Sequence, residues 1–154
     1  MRRRRGNPIL VLIIALALTV VLVYLFSSIF LGSERKARKV VHEFYEFESE
    51  ADFGRSWELL HTEMQGRFGR GAYVQDRAHV FNGHFEADTF TFDISGAKKI
   101  KNWKMDKDGE AFDFVYAFEV EQEYHGKYGH FVFVQYVYVV KEDGEWRVLW
   151  DYKG

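Results

Sequence analysis

Arg2, Arg3, Arg4 and Arg5 are followed by a stretch without one charged residue, from Gly6 to Ser33, inside which residues 9–31 read ILVLIIALALTVVLVYLFSSIFL. A helix rises about 1.5 Å per residue, so a run of this length covers the roughly 30 Å hydrocarbon core of a bilayer. A secretory signal peptide begins in the same way, but its apolar stretch is about 7 to 15 residues and closes on a small-x-small cleavage site. Here the run is longer and residues 27–33 offer no good site of that kind. The chain also has no Cys to take a lipid. The reading is an uncleaved, single-pass anchor in the cell membrane.

Its orientation is a near tie, because the four arginines on one flank are matched by Arg35, Lys36, Arg38 and Lys39 on the other. Acidic neighbours scarcely enter the rule that cytoplasmic flanks are basic. The leading arginines abut the run with no acid among them, so the amino terminus is read as inside and the rest as extracytoplasmic. Arg35, Lys36, Arg38 and Lys39 are then expected to meet anionic lipid head groups, at about 1 kcal/mol each near the surface. The expected division is residues 1–8 as a basic cytoplasmic stub, 9–31 as the transmembrane helix, 32–34 as linker and 35–154 as one domain.

All 23 acidic residues lie after the run, which leaves that part of the chain with a net charge of −6. About 120 residues suit one domain with a real core. A hydrophobic share of 47% with 18% aromatic residues excludes disorder. The lack of Cys excludes disulfide scaffolds, thiolate zinc sites and cysteine nucleophiles.

Within the domain the apolar period is first helical. Ser33 can cap a helix that carries Val40, Val41, Phe44 and Phe47. Phe53, Trp57, Leu60 and Met64 then form one stripe of a second helix, with Ser49 or Asp52 as cap. The GRFGRG segment at residues 66–71 interrupts, and a third helix fits residues 72–81, where Val74, Ala78 and Phe81 share a face. After Asp88 the period becomes two. Residues 112–124 alternate apolar positions with Asp113, Glu119, Glu121 and Glu123, residues 131–141 are apolar on both faces and read as a central strand, and residues 145–152 close the chain. Asp108-Gly109 and Asp143-Gly144 are tight-hairpin dipeptides, and residues 125–129 read as a longer connection. Helices followed by antiparallel strands make an α+β domain of about three helices and an antiparallel sheet.

The phrases ADFGRSWELLH, DRAHVF, KKIKNWK, FDFVYAFEVEQEY and VYVVKEDGEWRVLWDY, with Gly144, Trp146 and Trp150 spaced as Gly-x-Trp-x-x-x-Trp, resemble a nuclear transport factor 2-like domain over nearly all of residues 34–154. The resemblance implies a cystatin-like cone, three helices in the concavity of a strongly curved antiparallel sheet. With the anchor, the chain is similar to small extracytoplasmic proteins of Gram-positive bacteria. That superfamily includes isomerases, dehydratases and secretion-machine assembly proteins, so its fold leaves function open.

Asp76 and His79, with His84 nearby, are the best acid/base constellation: the first two lie three apart, on one helical face, where a carboxylate can orient an imidazole for general base work. A solvated or structural polar cluster with Arg77 is the commoner use of such a pair, since a site needs groups converging from several elements. Glu58 and His61 repeat the spacing. The six His form no paired-ligand motif at helical spacing, so no metal or cofactor is expected. Asp106, Asp108, Gly109 and Glu110 read as a turn, not a calcium loop. Lys98, Lys99, Lys101, Lys104 and Lys107 suit the edge of a sheet in an acidic domain, and nucleic acid is not expected as a partner. Tyr116, Phe118, Trp146 and Trp150 are the candidates for lining a pocket, beside their ordinary use as core. The expected function is a membrane-anchored, non-catalytic binding or assembly module of the bacterial envelope. Its partners are the bilayer and a protein at the membrane, with a homo-oligomer left open. The alternative is a small-pocket isomerase or hydrolyase using Asp76 and His79.

Overall fold

The computed structural model describes residues 8–80, 89–126 and 129–153. Among them are four helices, α1 (Pro8–Ser49), α2 (Phe53–Glu58), α3 (Thr62–Arg67) and α4 (Arg70–His79). They precede four strands, β1 (Phe90–Lys104), β2 (Ala111–Gly126), β3 (Gly129–Glu142) and β4 (Glu145–Leu149). The chain divides into two units, Met1–Arg35 and Lys36–Gly154.

In the first unit α1 exposes its apolar side chains, Leu12, Leu16, Val20 and Tyr24 among them. Among the described residues no helix is long and apolar enough to cross a membrane. The side chains described there without interruption cover residues 12–24 only, which is shorter than the run in the sequence. Residues 32–34, expected as a linker, are helical, and Ser33 lies inside α1 and does not cap a helix. Gly32 is tolerated there at about 1 kcal/mol.

The second unit is α+β, with helices packed on a four-stranded antiparallel sheet in the order β1-β2-β3-β4. On α1 the buried positions are Ala37, Val41, Phe44, Tyr45 and Glu48, a stripe at helical spacing. The expected second helix is divided. Asp52 caps α2 by accepting from Arg55 N–H, and His61 caps α3 by accepting from Glu63 N–H. Between them the backbone leaves the helix to bridge β4: Val148 N–H donates to Leu59 O and His61 N–H to Val148 O. The stripe survives the division, with Phe53, Leu60 and Met64 buried. The glycine-rich break holds, since α3 ends at Arg67 and Gly69 caps α4. The buried residue of α4 is Tyr73, while Val74 and Ala78 are half-buried; Phe81 lies outside the described residues.

Alternation holds from Phe118 to Tyr124 of β2, where Phe118, Val120, Gln122 and Tyr124 are buried and Glu121 is exposed, while Val115, on the other face, is buried as well. The Asp143-Gly144 turn joins Glu142 and Glu145 in register, with positive φ at both turn residues, as a two-residue hairpin of matching twist requires. The Asp108-Gly109 turn is wider than expected, because pairing stops at Lys104 and Ala111 and residues 105–110 form a loop. The connection expected at residues 125–129 is narrower: pairing runs on to Gly126 and Gly129. β3 is central only at its carboxy-terminal end. β4 pairs with Tyr138 to Glu142 alone, so from Gly129 to Val137 the far side of β3 has no paired strand among the described residues.

Candidate functional site

Tyr73, Asp76 and Arg77 lie at i, i+3 and i+4 on α4 and so share one side of it. With Phe68, Gln135 and Trp150 they line a cavity of about 190 Å³. Tyr73 stacks on the Trp150 ring at 6.4 Å between centroids. Phe44 and Phe68 hold that indole from two further directions. Tyr45 O–H donates to Gln135 Oε1 at 2.9 Å, which fixes the amide on the cavity wall.

Beside the cavity Glu48 is 1% exposed. Its carboxylate accepts from Ser56 Oγ, from Tyr73 O–H at 2.8 Å, and from Arg77 Nε at 2.6 Å and Nη2. A buried charge is tolerated when it is paired and its lone pairs are satisfied, as here. Burial is the largest influence on the Arg77 guanidinium and would lower it, but the Glu48 charge, the hydrogen bonds to Glu48 and the neighbouring phenols Tyr73 and Tyr124 together outweigh it and hold Arg77 above its ordinary value. Burial pushes the phenols of Tyr73, Tyr45 and Tyr124 up, with the Glu48 charge adding to it and Arg77 opposing it. These phenols therefore stay protonated near neutral pH and act as donors, not as bases. Trp150 Nε1 is buried with no acceptor among the described residues.

The residues picked out from the sequence fall in different places. Asp76 is exposed at the rim of the cavity, whereas His79 is exposed and does not line it. His84 lies outside the described residues. Of the pocket candidates only Trp150 lines this cavity. Tyr116 and Phe118 are core, in one cluster with Val41 and Phe44, and Trp146 packs on Phe114 and Tyr116. Inward-facing aromatics of a sheet are covered wherever a helix lies on them, which alternation alone does not reveal. Glu58 and His61 do not pair: Glu58 faces Arg70 at 3.5 Å, and His61 Nε2 lies 3.3 Å from Glu142 Oε1. Asp106 pairs with Arg67.

Among the cations assigned to lipid, Arg35, Lys36 and Lys39 are exposed, but Arg38 has an internal partner. It donates to Ile94 O and Gly96 O, both at 2.7 Å, where β1 carries an extra residue between Ser95 and Lys98. Sequence reasoning missed Glu48 and Gln135 altogether; of the solvated or structural polar cluster it expected around Arg77, the structural role is the one Arg77 has, through Glu48. One signal was available for Glu48, which falls seven residues after Val41, on the buried stripe.

No protein-family model matches the chain, and comparison with curated proteins finds no match.

Proposed function

We propose that the chain is a membrane-anchored module of the bacterial envelope. Its extracytoplasmic domain, of the nuclear transport factor 2-like kind, works by binding an extended protein segment along the free part of β3. One observation carries the reading. On that part of β3, Val132, Phe133, Val134 and Tyr136 are large apolar residues exposed to solvent, Phe133 at 50% and Tyr136 at 60%. Register sets Val132, Val134 and Tyr136 beside Glu123, Glu121 and Glu119 of β2, with Asp93 and Thr91 of β1 next in line. An apolar row therefore lies between an acidic row and an unpaired edge.

A strand added to that edge would sit about 4.8 Å from β3. Lys or Arg on its outward face would lay an aliphatic stem across the apolar row and set its charge near the glutamates. Apolar residues on its inward face would meet Phe133. The occupant is thus a segment that alternates basic and apolar residues. The anchor reading is supported by the apolar run at 9–31 and by the exposed apolar side chains of α1. The cavity beside Trp150 is smaller than the roughly 300 Å³ of common ligand pockets, so the binding surface is placed on the sheet and not there.

The test is fluorescence anisotropy of a labelled peptide alternating Lys and Val, titrated with the full chain in non-ionic micelles. Saturable binding is expected, weakening as salt is raised and falling about tenfold or more in Glu119→Lys with Glu121→Lys. A peptide alternating Glu and Val should not bind. Equal binding of both peptides, or none of either, would overturn the proposal. Dimerisation through β3 in place of peptide uptake would overturn it in favour of a second copy of the chain.

A further inference from the structure

The β2–β3 hairpin collects three ligand-bearing side chains at one place on the outer side of the sheet. Glu123 and His125 are two apart on β2 and so point to the same face. Register sets His130 of β3 directly across from His125. His130 Nε2 lies 2.6 Å from Glu123 Oε1, and the two imidazole rings are 4.7 Å apart between centroids. One ligand atom from each of the three residues falls within 4.8 Å of the others, and all three residues are exposed. Two donors held about 2.0 to 2.1 Å from one tetrahedral ion stand about 3.3 Å apart. The Glu123–His130 pair stands closer than that and no pair is more than 4.8 Å apart, so small side-chain rotations would bring the set onto an ion.

We propose that Glu123, His125 and His130 form a surface site for a divalent transition-metal ion of the zinc class. Two imidazoles and one carboxylate suit zinc, copper or nickel, whereas calcium and magnesium require oxygen ligands. Three protein ligands leave a tetrahedral ion one open position, for water or for a ligand from another molecule. A cavity of about 220 Å³, lined by Thr89, Phe90, Thr91, Glu123 and His125, opens beside the cluster and gives that position room. Thr91 Oγ1 reaches toward the second Glu123 oxygen at 3.5 Å and orients the carboxylate. Imidazole must be neutral to ligate, so the ion takes the place of any proton that His130 shares with Glu123.

Glu123 also stands in the acidic row beside β3, but the two readings are tested apart, strand addition at Glu119 and Glu121 and metal binding at His125 and His130. Its own test is calorimetric titration of the full chain with zinc chloride, in micelles, without a polyhistidine tag and after removal of metal by a chelator. One ion per chain is expected to bind and to raise the unfolding midpoint. Binding should fall by about tenfold or more in His125→Gln with His130→Gln, while the circular dichroism of the metal-free protein stays unchanged. Calcium chloride should give no saturable heat. Zinc binding that survives the double substitution would place the ion on the other histidines and overturn the proposal. So would the absence of saturable binding, or equal binding of calcium.

Discussion

At Trp150 two properties of one side chain can be separated. The ring contacts Phe44, Phe68 and Tyr73, while its N–H finds no acceptor among the described residues. Removing a large buried aromatic costs about 3 to 5 kcal/mol, but removing an unpaired polar atom recovers part of its desolvation cost. Trp150→Ala should therefore lower the unfolding midpoint strongly, and Trp150→Phe, which keeps much of the ring contact and removes the unpaired N–H, should lower it clearly less. Thermal unfolding followed by circular dichroism checks both. Equal losses in the two variants would mean that the indole N–H has a partner that matters. Arg38 shows the limit of residue-level reading in the other direction. A cation near an apolar run reads as a lipid contact, yet its guanidinium donates to the two carbonyls at the β1 bulge.

At the scale of elements, the alternating period of the strands was legible, while among the turns the Asp-Gly pair at residues 143–144 formed as expected and the connections at 105–110 and 125–129 did not. The Asp-Gly pair at residues 143–144 specified its turn because both positions need positive φ, at which Gly meets no Cβ penalty. Gly144→Ala should accordingly cost about 1 to 2 kcal/mol, whereas Gly66→Ala, inside α3 with nothing within 4 Å of the added carbon, should be neutral or stabilising. Urea midpoints of the two variants check this, and equal effects would contradict the turn geometry. The division of the second helix could not be read in the same way. Its apolar stripe continues unbroken from Phe53 to Met64, and the break arises because Leu59 and His61 take backbone partners from Val148, more than eighty positions away.

At the scale of the whole molecule, tethering would confine the domain to partners near the membrane and raise their effective concentration. The orientation proposed from the flanking arginines has a direct check. In intact cells treated with protease, a carboxy-terminal tag should be lost and a tag placed before Arg2 should survive. The reverse pattern would put the acidic domain inside the cell.

What the sequence determined by itself is what depends on neighbours along the chain. The apolar run, the change from helical to alternating period after Asp88 and the Asp-Gly turn all follow from local spacing, because Cβ directions repeat with fixed periods in helices and strands. What only the tertiary structure decided depends on register and covering. The cluster at Glu123, His125 and His130 exists because β2 and β3 pair with Gly126 opposite Gly129, and a slip of one residue would turn one strand's side chains to the other face. The unpaired part of β3 exists because β4 ends at Leu149. Glu48 and Arg77 are partners because α1 and α4 bring residues 29 positions apart to one buried point, where a charge without its counterpart would be too costly to keep.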